Sequence, residues 1–328
     1  MTIYLGVDGG SSKTHAALVD ASGALLGFGT AGNANQNTAG LENALGEISR
    51  AVRMALAQAH ADPGDVALGC FCLAGADFPD DFVNLRARLE GLGMAQKVIV
   101  KNDTAAGLRS GLSRSWGVVV VCGTGFNAAG RARDGRELGL PSYGPLTGDW
   151  GGGGDLGVEV VGAVMRARDG RGRPTLLTQM VLDALKLATT DELLQAIHLN
   201  RLSHRQVLEL TPLLFEAAHA GDAVASELVV RMGNEVGLTA NVFLERLDLA
   251  GTDAEVVLTG SIFKGRGPLL LDTVRKAVHA LSPQARIVRP VLEPVAGAAL
   301  LALELAGVAV TAQTNQRMQT AASLAIPS

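Results

Sequence analysis

The spacing of apolar residues divides the chain into two copies of one order of elements. Residues 3–7 are a continuous apolar run, followed by a glycine turn, by 15–20, by a second turn at Ala21, Ser22 and Gly23, and by 24–30. Short apolar runs joined by tight turns predict three strands. Between 41 and 60 the apolar residues Leu45, Ile48, Val52, Leu56 and Ala59 recur every three or four positions, which is helical spacing. Residues 66–73 read as a buried strand, 81–92 as a helix and 97–100 as another strand, and Asn102, Asp103 and Thr104 supply cap residues for a helix reaching about 112.

The order β-β-β-α-β-α-β-α then repeats. Residues 117–122 form an apolar run ending in Gly123, Thr124 and Gly125, and strands are expected over 126–133 and 137–140 with a turn at Asp134 and Gly135. Mostly helical sequence occupies 156–249, followed by strand 255–258, helix 268–281, strand 286–288 and a last helix from Glu293, where Pro294 suits the first turn. Residues 309–328 show little periodicity and are expected to be a weakly ordered tail. The repeat predicts a two-domain α/β protein with a cleft. Residues 1–112 with about 293–328 form one domain, and 113–292, with a helical insertion, form the other.

Composition narrows the chemistry. Of 328 residues 48% are hydrophobic and 18% charged, which excludes disorder for the bulk of the chain. The net charge of −4 and the lack of a basic run argue against nucleic acid and against an anionic membrane surface. No apolar stretch approaches the ~20 residues of a membrane span, and the first ten residues lack a basic leader region. Cys70, Cys72 and Cys122 lie inside apolar runs, as free thiols of a reducing compartment do. A cytoplasmic location is the expectation. The six histidines have no metal-ligand spacing. The oddity is 41 glycines against 2 Trp, 2 Tyr and 8 Phe, a bias toward backbone contact.

Two glycine motifs are decoys. Ser11, Ser12, Lys13 and Thr14 resemble the end of a P-loop, but Val7 and Ser12 stand where that motif needs glycine. Gly152, Gly154 and Gly157 have the dinucleotide spacing, yet no strand can precede them. Residues 8–14 are more informative. Asp8, Gly9 and Gly10 enter a hairpin turn followed by Ser11, Ser12, Lys13 and Thr14; backbone N–H groups there can cradle phosphate, and Asp8 is placed to hold a hydrated Mg²⁺. An ordinary hairpin is the alternative. Gly123, Thr124 and Gly125 form the matching turn in the second copy, and Gly260 and Ser261 end a strand where an adenosine can lie against backbone, or simply make a turn. Asp103, at the end of a buried strand, reads as a cleft-facing carboxylate, as an N-cap, or as both.

This ordered set resembles the actin-like superfamily of sugar kinases and heat-shock ATPases, with duplicated ribonuclease H-like units. More narrowly it resembles the N-acetylglucosamine kinases grouped with the BadF/BadG/BcrA/BcrD ATPases. The resemblance spans residues 3 to about 307. It implies ATP and Mg²⁺ as cofactors, a homodimer, and a sugar as the small-molecule partner. It assigns phosphate contact to 8–14, with Ser12 at an ATP-contacting hydroxyl position, and to Gly123, Thr124 and Gly125; nucleotide contact falls to Ala218, Gly260 and Ser261. Asp103 falls on the catalytic base, which takes a proton from a sugar hydroxyl, the 6-OH by expectation. Asn33, Asn102, Gly148 and Asp149 fall at or beside the sugar contacts. One position departs: Trp150 stands where the kinases commonly carry an acid, either to stack on a sugar or to pack under its loop.

Two other functions fit the same resemblance. One is an activator ATPase of dehydratase or reductase systems, which needs thiolates for a shared iron–sulfur cluster. The other is a non-catalytic sugar or nucleotide sensor, against which Asp103 and both turns argue.

Overall fold

The computed structural model describes residues 2–325 except Ser115, Pro141 and Val291. Its contacts divide the chain into two compact units, Met1–Ser115 with Val288–Ser328, and Trp116–Ile287.

The first unit contains β1 (Ile3–Gly9), β2 (Thr14–Asp20), β3 (Leu25–Ala31), α1 (Gln36–Ala39), α2 (Leu41–Ala59), β4 (Val66–Leu73), α3 (Pro79–Gly91), β5 (Val98–Asn102) and α4 (Asp103–Gly111). The second has β6 (Gly117–Cys122), β7 (Phe126–Arg131), β8 (Glu137–Gly139), α5 (Gly153–Arg168), α6 (Leu177–Leu185), α7 (Thr190–His198), α8 (His204–Glu209), α9 (Thr211–His219), α10 (Ala223–Arg246), β9 (Glu255–Thr259), α11 (Leu269–Leu281) and β10 (Arg286–Val288). The chain closes with α12 (Pro294–Leu305) and α13 (Ala312–Ala325), which belong to the first unit.

The two sheets have one topology. Strand order is β3-β2-β1-β4-β5 in the first and β8-β7-β6-β9-β10 in the second, with an antiparallel hairpin beside parallel strands in each. In the first unit, strand alternation sends Ile3, Leu5 and Val7 to the core under α2 and α3, and sends Tyr4, Leu68, Cys70 and Cys72 to the core under α12.

Many glycines serve this layering. A Cβ on Gly27 or Gly29 would lie 2.1 or 1.9 Å from the carbonyl oxygens of Ala55 and Ala51 in α2, and one on Gly6 would lie 2.2 Å from the Ala299 nitrogen in α12. Helix backbones therefore seat directly on the sheet. A chain with 12 aromatics fills its core by bringing backbones together in place of large side chains.

Two expectations need correction. β1 runs through Asp8 and Gly9, so Asp8 is a strand residue paired with His15 and Cys72 and not part of the turn. Residues 312–325 of the expected tail are helical, with Thr314 and Met318 buried, because an alanine-rich segment with one apolar anchor can dock on the first unit. The last three residues of that tail lie outside the described residues.

Candidate active site

In the first unit the turn after β1 is closed by a hydrogen bond from the Gly10 N–H to the Lys13 carbonyl, 2.9 Å, and leaves Ser11, Ser12 and Lys13 exposed. Gly9 packs closely: a Cβ there would fall 2.7 Å from Leu73 Cδ2 and 3.1 Å from Ala34 Cβ, so the leucine side chain would have to turn aside. Thr14 closes the loop. It is buried and donates to the Gly32 carbonyl at 2.6 Å, because β2 has already begun there.

The segment 32–38 lies beside this turn. Asn33 is engaged by its own loop, accepting from the Asn35 N–H at 2.8 Å and donating to Thr38 Oγ1 at 3.0 Å. Asn35, which no motif singled out, donates to Ser11 Oγ at 2.9 Å and caps α1. Its signal in the sequence was the run of asparagines after Gly32, a composition that favours side-chain-bonded turns.

Asp103 opens α4 at the end of β5, but the cap is Asn102, whose Oδ1 accepts from the Thr104 N–H at 3.0 Å. The Asn102 amide nitrogen donates to Asp77 Oδ1 and the Ala76 carbonyl at 2.9 and 3.2 Å. Asn102 thus has internal partners for its whole amide. Asp103 Oδ1 is buried with no hydrogen-bond partner among the described residues.

Burial, then the charge of Asp77, pushes the Asp103 carboxyl up to about 6, against backbone N–H groups of Thr104 and Asp103 that pull it down. Burial pushes Asp8 up to about 7, with Asp103 and Glu293 adding to the rise and Lys13 opposing it. Glu293 is the N-cap residue of α12. Sequence reading missed both Asp77 and Glu293, since each reaches this corner only through the sheet and the helices laid on it.

In the second unit, the turn at Gly123, Thr124 and Gly125 rests on the start of α5. The N–H groups of Gly153 and Gly154 donate to the carbonyls of Gly123 and Thr124 at 2.8 and 2.9 Å, and those of Gly151 and Gly152 to Asp155 Oδ2 at 3.2 and 3.1 Å. The amides of the dinucleotide-like glycines are therefore engaged within the chain. A Cβ on Gly152 would meet the Gly125 carbon at 2.5 Å, and one on Gly157 the Val207 carbonyl at 2.2 Å. The glycines at 152–154 seat the turn on the helix. Gly123 and Gly125 differ, for a Cβ there would meet nothing within 4 Å. They face open space.

Gly260 has φ +111 and brings β9 against the end of β6, where a Cβ would lie 2.2 Å from the Cys122 carbonyl oxygen. Ser261 beside it is exposed. Ala218, on α9, lines a cavity of about 230 Å³ together with Phe215, His219 and Arg266.

Asp149 is buried and accepts at Oδ2 from the Tyr143 N–H and Thr147 Oγ1, 2.9 and 2.6 Å, while Gly148 before it has φ +82 and is exposed. Trp150 packs on the core of the second unit with the Arg231 guanidinium 3.9 Å over its ring. That face is covered, so the ring packs under its loop there and cannot stack a sugar on that side. Removing the cover in Arg231→Ala should lower stability by about 0.5–1 kcal/mol, read by chemical denaturation.

All three cysteines are buried, and burial raises the Cys122 thiol well above its ordinary range; Cys70 and Cys72 have their sulfurs 3.9 Å apart. None is placed to offer an exposed thiolate.

Comparison with known proteins identifies the family. The chain is 31% identical over 315 residues to an N-acetyl-D-glucosamine kinase of Dictyostelium discoideum, covering 92% of this chain and 98% of that one. It is 26% identical to an N-acetylmuramic acid/N-acetylglucosamine kinase of Clostridium acetobutylicum, with the same coverage. A ROK family glucokinase from Streptomyces griseus, solved with glucose and AMPPNP, shares the fold with a TM-score of 0.56 at 19% identity, over 92% of this chain and 99% of that one. The sequence profile of the BadF/BadG/BcrA/BcrD ATPases matches residues 5–302, and the chain belongs to that family.

Proposed function

We propose that this protein is an ATP-dependent sugar kinase that phosphorylates a hydroxyl, the 6-OH, of an amino sugar or hexose such as N-acetylglucosamine or glucosamine. The observation that carries this reading is Asp103: a half-buried carboxylate at a helix start, with one oxygen buried and unpartnered and a pKa raised to about 6. A group of that kind is ionised at neutral pH and basic enough to accept a proton in a transition state.

Phosphoryl transfer asks mainly for positioning and charge neutralisation. The sugar hydroxyl gives its proton to Asp103 as its oxygen bonds the γ-phosphorus and the bond to ADP breaks. In the first unit the exposed turn with Ser11, Ser12 and Lys13 serves phosphate oxygens. In the second, Thr124 between Gly123 and Gly125 serves the same chemistry, and the cavity at Ala218, with Gly260 and Ser261, takes the nucleoside. Asn33 and Asp149 are the proposed sugar contacts, each held in place by its own loop.

Mg²⁺ fits the first unit in one manner. Among the described residues no three His, Cys, Asp or Glu side chains group as a direct metal cage. Asp8 instead combines burial with neighbouring negative charge, which suits an ion that keeps its waters and takes other ligands from phosphate. The bound ion would neutralise phosphate charge. Asp8→Asn should raise the Mg²⁺ concentration for half-maximal turnover by about tenfold or more, read by titration of Mg²⁺ at saturating sugar.

No helix among the described residues is long and apolar enough to cross a membrane. A cytoplasmic homodimer completes the proposal. The buried thiols argue against an activator with a shared iron–sulfur cluster. The deciding experiment is an ATP-consumption screen over glucose, glucosamine, N-acetylglucosamine and N-acetylmannosamine, with the phosphate position assigned by NMR. Turnover on none of them, with ATP still bound, would favour the sensor.

A further inference from the structure

Asp77 belongs to none of the motifs above, yet the structure sets its charge beside Asp103. It lies in the turn between β4 and α3, 26 residues before Asp103 in the chain. Two sets of hydrogen bonds hold that turn. On one side Asn102 Nδ2 donates to Asp77 Oδ1 at 2.9 Å and to the Ala76 carbonyl at 3.2 Å. On the other, Asp81 Oδ2 accepts from the N–H groups of Asp77 and Phe78 at 3.2 and 2.9 Å, and Gln36 Nε2 donates to the Gly75 carbonyl at 2.6 Å. A carboxylate anchored this way cannot swing off into solvent without breaking the Asn102 bond.

Asn102 also caps α4 through its Oδ1, and Asp103 is the first residue of that helix. One amide therefore ties the Asp77 carboxylate to the segment that orients Asp103. The two carboxylates act differently on their surroundings. Asp77 accepts from Asn102, whereas Asp103 Oδ1 has no partner among the described residues and stays open to a proton.

We propose that Asp77 is a positioning residue for phosphoryl transfer: anchored by Asn102, its negative charge makes Asp103 a stronger proton acceptor. The inference rests on the sugar-kinase reading, in which Asp103 takes the hydroxyl proton while the new O–P bond forms and ADP leaves. A like charge nearby disfavours ionisation, and burial acts in the same direction at Asp103. A more basic carboxylate takes the proton more readily, provided that it is ionised at the working pH. The other charges at this corner are Asp81, which accepts from the Asp77 N–H, and Asp8 on β1, with Lys13 and Glu293 acting on it. Substitution at Asp77 leaves all four in place.

The test is the pH dependence of kcat/KM in Asp77→Asn, which keeps the shape and an acceptor for Asn102 but loses the charge. The acid limb should move to lower pH by about half a unit to one unit, and the plateau should fall about two- to threefold, as a general base with a fractional Brønsted dependence would. A uniform loss with the acid limb unmoved would mean a merely structural role and would overturn the proposal, as would an unchanged profile.

A second measurement needs no turnover. In the full chain with carboxyl-labelled aspartate, the Asp103 NMR signal is identified by its loss in Asp103→Asn, and its titration midpoint is compared with and without the Asp77 charge. The midpoint should fall in Asp77→Asn. An unmoved midpoint overturns the proposal whether or not any sugar is phosphorylated, and a lowered midpoint in a chain that phosphorylates none sinks the kinase reading alone. Asn102→Ser, which keeps a capping oxygen and loses the donor to Asp77, should lower the midpoint by a smaller amount.

Discussion

Asp103→Asn is expected to reduce sugar phosphorylation by about 10³-fold while leaving the fold and ATP binding intact. The amide has the shape of the carboxylate but cannot take the hydroxyl proton. The helix start does not depend on the charge, since Asn102 makes the capping bond. Stability should move in the opposite direction from activity. The Asp103 carboxyl is raised from 3.8 to about 6 in the folded chain, so its ionised form costs stability once the pH rises above the lower value. The variant escapes that cost. Its melting temperature at pH 7.5 should equal or exceed that of the wild type, and the advantage should fade as the pH falls from about 6 to 3.8. Turnover is read by ADP release, binding by calorimetry and stability by thermal melts at several pH values. Near-normal turnover would remove Asp103 as the base, and a large loss of melting temperature would assign it to the fold.

Gly260→Ala should be the most destabilising of the single changes considered. Two costs combine there: φ is +111, a conformation that residues with a Cβ rarely adopt, and the added carbon would sit 2.2 Å from the Cys122 carbonyl oxygen and 2.5 Å from its carbon. The obstacle is backbone at the end of β6, held by pairing with β7 and β9, so it cannot turn aside as a side chain would. A loss of about 3 kcal/mol or more is expected. Relief by shifting Cys122 would also move the Gly123 turn, so the KM for ATP should rise together with the loss of stability. Gly123→Ala and Gly125→Ala provide the contrast. Each Cβ would enter open space and neither residue has positive φ. Those variants should melt near the wild type yet bind ATP more weakly if phosphate approaches that backbone. Denaturant titration of the three variants, paired with nucleotide binding, separates glycine required by packing from glycine required by ligand.

That contrast marks where sequence reasoning stopped. The glycines from 148 to 154 are one cluster in the sequence, but the tertiary structure gives them several tasks. Gly152 and Gly153 seat the 123–125 turn on α5, and Gly148 bends an exposed loop. Asp8 read as a turn residue, and β1 extends through it because its partners on β2 and β4 continue the ladder. Trp150 read as either a sugar platform or a packing residue, and an arginine from α10, 81 positions later, covers one face of its ring.

What the chain determined by itself is what periodicity and local chemistry can carry. Apolar runs and helical spacing were enough for the duplicated order of strands and helices, glycines between strands marked both turns, and a polar cap sequence after β5 marked the helix that Asp103 begins. These signals are written within a few residues of one another. The tertiary structure decided which backbones come within a Cβ of each other, how the α5 amides are satisfied, and that Asp77 stands by Asp103. Such contacts join residues far apart in sequence and leave no period in it, so they exist only once the sheet brings β4 beside β5 and lays α12 across β1.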